Sequence, residues 1–423
     1  MIANQQTNLN HGQGASALWI WLATAVFAAL TVPYATNFIQ WANTNGYFPL
    51  RPAIYLVLAS ITCVTVTLGR RPDFTLTTLC ILLFHGLYIC ENVILHRYDH
   101  PDGKFYPLMT HGAMLLSTLC ISWFLGVMHR YSSLPILVSA ALVVSICSLT
   151  NIAEWFGVHQ FTIVLGRAAG FHGDPNNASI AIVLALAVFL TFSKNIWLSF
   201  GLIALSFVAV AITLSRSGII AEILVSASFL IVSYRKKPAA VVQAVAITVP
   251  IVIIGIVYMI SNMSSEVLRE SDIQDRLGAL MGKDSEKMAS GERMKDLTDG
   301  LHAVRDRPVF GYGVGAGTEK WQPHNQVISI WLDGGIVLGG LYLLILGAMT
   351  VKVIASRGKG GLCLLAVLIF IPFSQLLHTS LAYWTTCIIV INLTSTRFIA
   401  LQWSRPEEGT YENSTPHSQI EHA

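Results

Sequence analysis

The chain has 423 residues, of which 54% are hydrophobic and 12% charged, and its mean hydropathy is +0.60. An ordinary soluble domain carries about twice that share of charge, so a soluble globular protein is excluded. The 26 basic and 23 acidic residues are too evenly matched for a nucleic-acid surface. At about 20 apolar residues per crossing, residues 1–423 are long enough for roughly ten to twelve spans in a single polytopic membrane domain.

The first apolar run begins near Ser16, after a polar tail with neither a basic n-region nor a small-residue cleavage pattern. It is therefore read as a retained span rather than a signal peptide. Further runs at 52–69, 74–95, 107–128, 133–156, 177–193, 195–214, 217–234, 239–261, 326–355, 362–378 and 382–402 bring the expected number to about twelve. The run at 326–355 is too long for one upright crossing and contains Gly334, Gly335, Gly339 and Gly340, which predicts a short helix, a break and then a crossing. The seven cysteines lie apart from one another inside apolar stretches, where packing is their expected role.

Basic residues resist translocation, and they follow every even-numbered span: Arg70 and Arg71, Arg130, Lys194, Arg235 to Lys237, and Lys352, Arg357 and Lys359. Those connections and both termini, including the polar tail 403–423, are expected in the cytoplasm, with the odd-numbered loops on the trans side. One trans loop, 262–325, is long and richly charged.

Two short trans connections carry an arginine where the positive-inside rule disfavours one. They read Gly166-Arg167-Ala-Ala-Gly170-Phe-His172-Gly-Asp174-Pro-Asn176-Asn177 and Thr213-Leu-Ser215-Arg216-Ser217-Gly218. A guanidinium beside hydrocarbon requires an acidic partner or an anionic ligand. Glu154, Asp174 and Glu222 are the candidate partners for a structural ion pair, and the occurrence of two such arginines in one plane favours an anionic ligand.

In the large loop, Met294, Leu297, Leu301 and Val304 recur at helical spacing, predicting an amphipathic helix that starts at Ser290 or Gly291 and stops before Pro308. Arg293 lies in its first turn, either on a solvated face or directed into a cleft beneath. The glycine run Gly311-Tyr-Gly313-Val-Gly315-Ala-Gly317 has two readings, a tight turn or a cradle of N–H groups for a phosphate. It lacks the Lys-Ser/Thr ending of a nucleotide P-loop, so no ATP site is inferred. Pro323-His324-Asn325 opens the tenth apolar run. A histidine held neutral by a positive helix end and nearby arginines suits a general base, and a cap or interfacial hydrogen bonder is the alternative. The cluster His96 to Asp102 is consecutive and lacks ligands at helical spacing, which disfavours a metal site, and residues 36–51 contain no acid to hold a divalent ion.

The ordered set formed by the Arg167 to Asn177 segment, Ser215-Arg216-Ser217-Gly218, Ser290-Gly-Glu-Arg293, Arg307-Pro308-Val-Phe-Gly311-Tyr-Gly313-Val-Gly315 and His324-Asn325 resembles the O-antigen ligase and O-antigen polymerase superfamily of bacterial envelope glycosyltransferases. The resemblance covers residues 160–345 in detail and the whole chain in topology. It implies an all-α integral membrane protein similar to C-type glycosyltransferase-like enzymes, with about twelve transmembrane helices and one large periplasmic loop, in a Gram-negative inner membrane. It further implies transfer of O-antigen from undecaprenyl diphosphate at the periplasmic face without nucleotide, metal or other cofactor. Arg167, Arg216 and Arg293 would hold the diphosphate, His324 would act on the acceptor hydroxyl, and Asn325 would contact substrate. A lipid A-core acceptor is favoured over a second carrier-linked repeat or a protein hydroxyl, because one loop dominates and the tail is short. A lipid-linked oligosaccharide flippase is the alternative from a different class, disfavoured by the one-sided grouping of ionisable residues.

Overall fold

A computed structural model describes residues 16–72, 76–95, 105–128, 130–162, 166–235, 237–261, 289–313 and 315–355. The described residues form α1 (Ala17–Ala35), α2 (Phe38–Thr44), α3 (Pro52–Thr67), α4 (Leu76–Leu95), α5 (Phe105–Met128), α6 (Leu134–Trp155), α7 (Pro175–Phe192), α8 (Ile196–Ile212), α9 (Arg216–Tyr234), α10 (Pro238–Ser261), α11 (Ala289–Asp306) and α12 (Gln326–Ala355). A helix coincides with each of the first ten expected spans. The runs 362–378 and 382–402, the tail 403–423 and loop residues 262–288 lie outside the described residues.

In hydrocarbon every backbone polar group needs an internal partner. The helix starts meet this locally: Ser16, Asp174, Asn195, Ser215 and Asn325 each turn a side-chain oxygen onto N–H groups of the first turn that follows. Among the described residues, six helices are long and apolar enough to cross a membrane (α1, α6, α7, α9, α10 and α12), and α3, α4, α5 and α8 contain shorter apolar stretches. The chain is thus a helical, multi-pass membrane protein.

Helix α7 is the central element. Two thirds (67%) of its apolar window is buried, against 11% for α10, which turns most of its surface outward. Helix α6 packs on α1, α7 and α8, α3 packs on α1, and α5 links α3 to α4, which meets α12. Phe27 and Phe124 stack at 4.9 Å in the core between α1 and α5. At one end of the bundle, the Arg70 guanidinium lies 3.9 Å from the ring centroid of Trp19 and 4.6 Å from that of Tyr131, and Trp19 Nε1 donates to the Val66 carbonyl. This contact ties the starts of α1 and α6 to the end of α3 by cation–π attraction. Since successive spanning helices reverse direction, Arg130, Lys194 and Arg235 fall at this same end and the turns bearing Arg167 and Arg216 at the other.

Helix α12 is interrupted as its glycines predict. Gly334 (φ −124°, ψ 18°) and Gly335 (φ 61°, ψ −156°) leave the helical region, separating a short entry helix from the long segment beyond. The break exposes carbonyls in mid-helix, and residues 308–313 cover them. Tyr312 N–H donates to the Leu332 carbonyl at 2.7 Å and Gly313 N–H to that of Asp333 at 2.9 Å, while Ile336 N–H and Trp331 Nε1 both donate to the Pro308 carbonyl. A Cβ on Gly335 would collide with the Val309 carbonyl, in a left-handed backbone that L residues rarely adopt. Gly335→Ala is therefore expected to lower stability by about 3 kcal/mol or more. Gly340→Ala, with nothing within 4 Å of the added carbon, should be neutral or slightly stabilising. Thermal midpoints in detergent, followed by size-exclusion fluorescence, distinguish the two.

Candidate active site

The end of the bundle opposite Arg70 gathers the end of α6, the starts of α7 and α9, the end of α8 and the short helix α2. Their meeting depends on the segment 156–174, in which the described residues are irregular apart from one 3₁₀ turn at Gly170–His172. Its organiser is Glu154, in the last turn of α6. One carboxylate oxygen accepts from Phe161 N–H and Thr162 N–H, both at 2.6 Å, and the other from Ala169 N–H at 2.7 Å and Gly170 N–H at 2.8 Å. Such charge-assisted bonds are short and strong.

Arg167 lies between these two anchored stretches and is buried. Its Nε donates to the Thr213 carbonyl at 2.7 Å, and a terminal guanidinium nitrogen donates to Asn176 Oδ1 at 3.2 Å. Beside it, Ala168 N–H donates to the Ile212 carbonyl. The Arg167 segment is therefore fastened to the α8–α9 turn, in which Ser215 caps α9 and Arg216 occupies its exposed first position. Gly218 permits the close crossing of α9 on α7, because a Cβ there would collide with the Ser179 side chain. Two arginine-bearing turns more than forty residues apart in sequence thus share one ledge.

Each of the acids considered as ion-pair partners has another engagement. Glu154 holds the four N–H groups, Asp174 caps α7 through Asn176 N–H and Asn177 N–H, and Glu222 Oε1 accepts from Ser206 Oγ at 2.7 Å inside the bundle. The Thr213 and Asn176 oxygens fix the direction of the Arg167 guanidinium.

Helix α2 braces the outer side of this ledge. Asn37 Nδ2 donates to the Phe171 carbonyl at 3.2 Å, and Trp41 packs on Phe171 and Phe161 with ring centroids 5.0 and 5.7 Å away. His172 Nε2 lies 3.9 Å from Cys147 Sγ. Loss of hydration lowers the His172 pKa to about 4, against the opposing pull of the Asp174 carboxylate.

His324 and Asn325 occupy a second element, the mouth of the entry helix of α12. His324 is exposed, with a left-handed φ of 48°. Asn325 is the helix cap, its Oδ1 accepting from Val327 N–H and Ile328 N–H. Its side-chain oxygen thus serves the start of the helix. Asp333, at the far end of the entry helix, accepts from Gly317 N–H at 2.7 Å and from Tyr88 O–H at 3.1 Å, locking the glycine run onto α4 and α12. Of the two readings of the glycine run, the structure shows the turn: the N–H groups of Tyr312, Gly313 and Gly317 are spent on α12 rather than directed at a phosphate.

Arg293 falls in the first turn of α11, and its side chain lies outside the described residues. The helix itself starts at Ala289 and ends at Asp306, close to the expected bounds. It meets α12 at buried Gly300, which allows close approach to Pro323, Ile328 and Leu332, whereas Met294 and Leu301 of the expected apolar stripe are exposed. The cluster His96 to Asp102 also lies outside the described residues.

Residues 201–343, a segment that contains Arg216, Arg293, His324 and Asn325 but not Arg167, match the family model described as O-antigen ligase. The match is a likeness to that family over about a third of the chain. No curated protein matches the chain.

Desolvation of the half-buried His172 carries a pH signature. Its folded pKa of about 4 lies below the value of 6.5 usual for histidine, so the unfolded chain takes up the proton first and stability is lost as pH falls from about 6.5 towards 4. The thermal midpoint is expected to drop between about pH 7.5 and 4.5, and to drop less in His172→Gln.

Proposed function

We propose that the protein is an O-antigen ligase, a glycosyltransferase that moves O-polysaccharide from undecaprenyl diphosphate to lipid A-core at the periplasmic face of the Gram-negative inner membrane. The observation that carries this reading is the fastening of the Arg167 segment to the Arg216 turn, at the end of the bundle opposite the basic connections. In this reading the full chain has about twelve spans, both termini are cytoplasmic, and loop 262–325 covers the site from the periplasm.

The chemistry asks for fixed positive charge more than for a strong acid, because a diphosphate is already a good leaving group. Planar guanidinium groups provide charge and paired hydrogen bonds to phosphate oxygens. Arg167 is held in place for that task, while Arg216 stands exposed at the positive end of α9, where an anion is also favoured by the helix dipole. Arg293, in the first turn of α11, is assigned as the third cation. An acceptor hydroxyl attacks the anomeric carbon as the bond from that carbon to the diphosphate oxygen breaks. His324 takes the hydroxyl proton, and the electron pair of the broken bond stays on the diphosphate, where the arginines stabilise it. In-line displacement inverts the anomeric centre. The arginines supply the charge for which other glycosyltransferases recruit a divalent metal, so the proposed reaction uses neither metal nor ATP.

Purified protein reconstituted with carrier-linked O-polysaccharide and lipid A-core, without ATP or divalent metal, should yield glycan-bearing lipid A-core by gel mobility. Arg216→Ala and His324→Ala should each slow transfer by about 100-fold or more. Longer carrier-linked chains in place of a core product would establish polymerisation instead. Translocation without covalent transfer would establish a flippase, and wild-type rates in either variant would remove that residue from the mechanism.

A further inference from the structure

We propose that Glu154 is the positioning residue of the donor site, acting through Arg167; this rests on the reading of Arg167 as a diphosphate ligand. A carboxylate offers about four lone-pair sites, and in Glu154 they meet four backbone N–H groups. Two of those donors precede Arg167 in sequence and two follow it, so a single side chain fixes the segment on either side of the arginine.

From the second pair of bonds the order is passed on covalently and by short contacts. Ala169 and Gly170 are held by Glu154, the adjoining Ala168 N–H is held by the Ile212 carbonyl, and Arg167 Nε is held by the Thr213 carbonyl. Thr213 lies three residues before Arg216. Glu154 thereby sets the register of Arg167 against the α8–α9 turn while its own oxygens, filled by N–H groups, remain out of the chemistry. Its place at the end of a long apolar helix matters: α6 packs on α1, α7 and α8, so the carboxylate refers the loop to the rigid part of the bundle.

The substitution Glu154→Gln keeps the shape and replaces one oxygen by an NH₂ group, which faces two N–H donors it cannot accept from. The backbone pair on that side is released and Arg167 loses its fixed direction. The expected consequence is selective for the donor. Binding of undecaprenyl diphosphate to the purified protein should weaken by about tenfold or more, and donor KM in the transfer assay should rise by a similar factor, with acceptor KM changed by less than about twofold.

The decisive comparison is a double-mutant cycle. If Glu154 acts through Arg167, Glu154→Gln adds nothing to the loss of carrier binding in Arg167→Ala. Full additivity, or equal losses in donor and acceptor KM, would overturn the proposal in favour of a general structural role. Should Glu154→Gln fail to accumulate in membranes, Asn176→Ala provides the second variant. It leaves the four N–H bonds intact and removes one hydrogen bond from the guanidinium, and it must also weaken carrier binding without additivity to Arg167→Ala; unchanged binding overturns the proposal. Wild-type carrier binding by Arg167→Ala itself would defeat the donor-site reading, whereas loss in Arg167→Ala alone, with Glu154→Gln unaffected, would defeat only the role of Glu154.

Discussion

Irregular backbone at the mouth of a membrane bundle persists only where its N–H and C=O groups find partners, and Glu154 meets four of those N–H groups with one side chain. Without a carboxylate at the end of α6, the segment 156–174 would leave buried amides unsatisfied at about 1–3 kcal/mol each. With it, the segment folds back on the helix end, delivers Arg167 to the Thr213 carbonyl and offers Phe171 to α2. The position of α2, the closeness of the two arginine turns and the enclosure of His172 all follow from that anchor.

A second carboxylate solves the same problem at the break in α12. Asp333 stands where α12 breaks and draws in Gly317 N–H and Tyr88 O–H, while the freed carbonyls of Leu332 and Asp333 take Tyr312 N–H and Gly313 N–H. These bonds hold the far end of the entry helix that begins after His324. Both elements place candidate functional side chains at the ends of helices whose irregular connections are satisfied from within the bundle.

Much of this is legible in the amino-acid order. Apolar runs separated by caps locate ten helices, because hydrocarbon thickness and the cost of unpaired backbone leave few alternatives. The paired glycines at 334 and 335 announce the break in α12, and arginines on the wrong side of a charge rule point to Arg167 and Arg216. What stays hidden depends on long-range contacts. Glu154 reads as a possible counter-ion, since nothing local reveals that its oxygens meet amides 7 to 16 residues ahead. The signal in the sequence is an acid closing an apolar helix just before an irregular segment. Likewise the glycine run is equally suited in sequence to cradle phosphate or to cover a helix break, and only the carbonyls of Leu332 and Asp333 decide between them. In α11 the approach to Pro323, Ile328 and Leu332 is made at Gly300, a position that the apolar pattern does not single out.

The central claim is that the two arginine turns form one diphosphate site at the end of the bundle opposite Arg70. Electron cryomicroscopy of the protein in lipid nanodiscs with undecaprenyl diphosphate tests it most directly. The account predicts density for both phosphates at the ledge, within hydrogen-bond reach of the Arg167 and Arg216 guanidinium groups, with the isoprenoid chain running down into the bilayer. Phosphate density at the Arg70 end, or at the ledge but out of reach of both arginines, would contradict it.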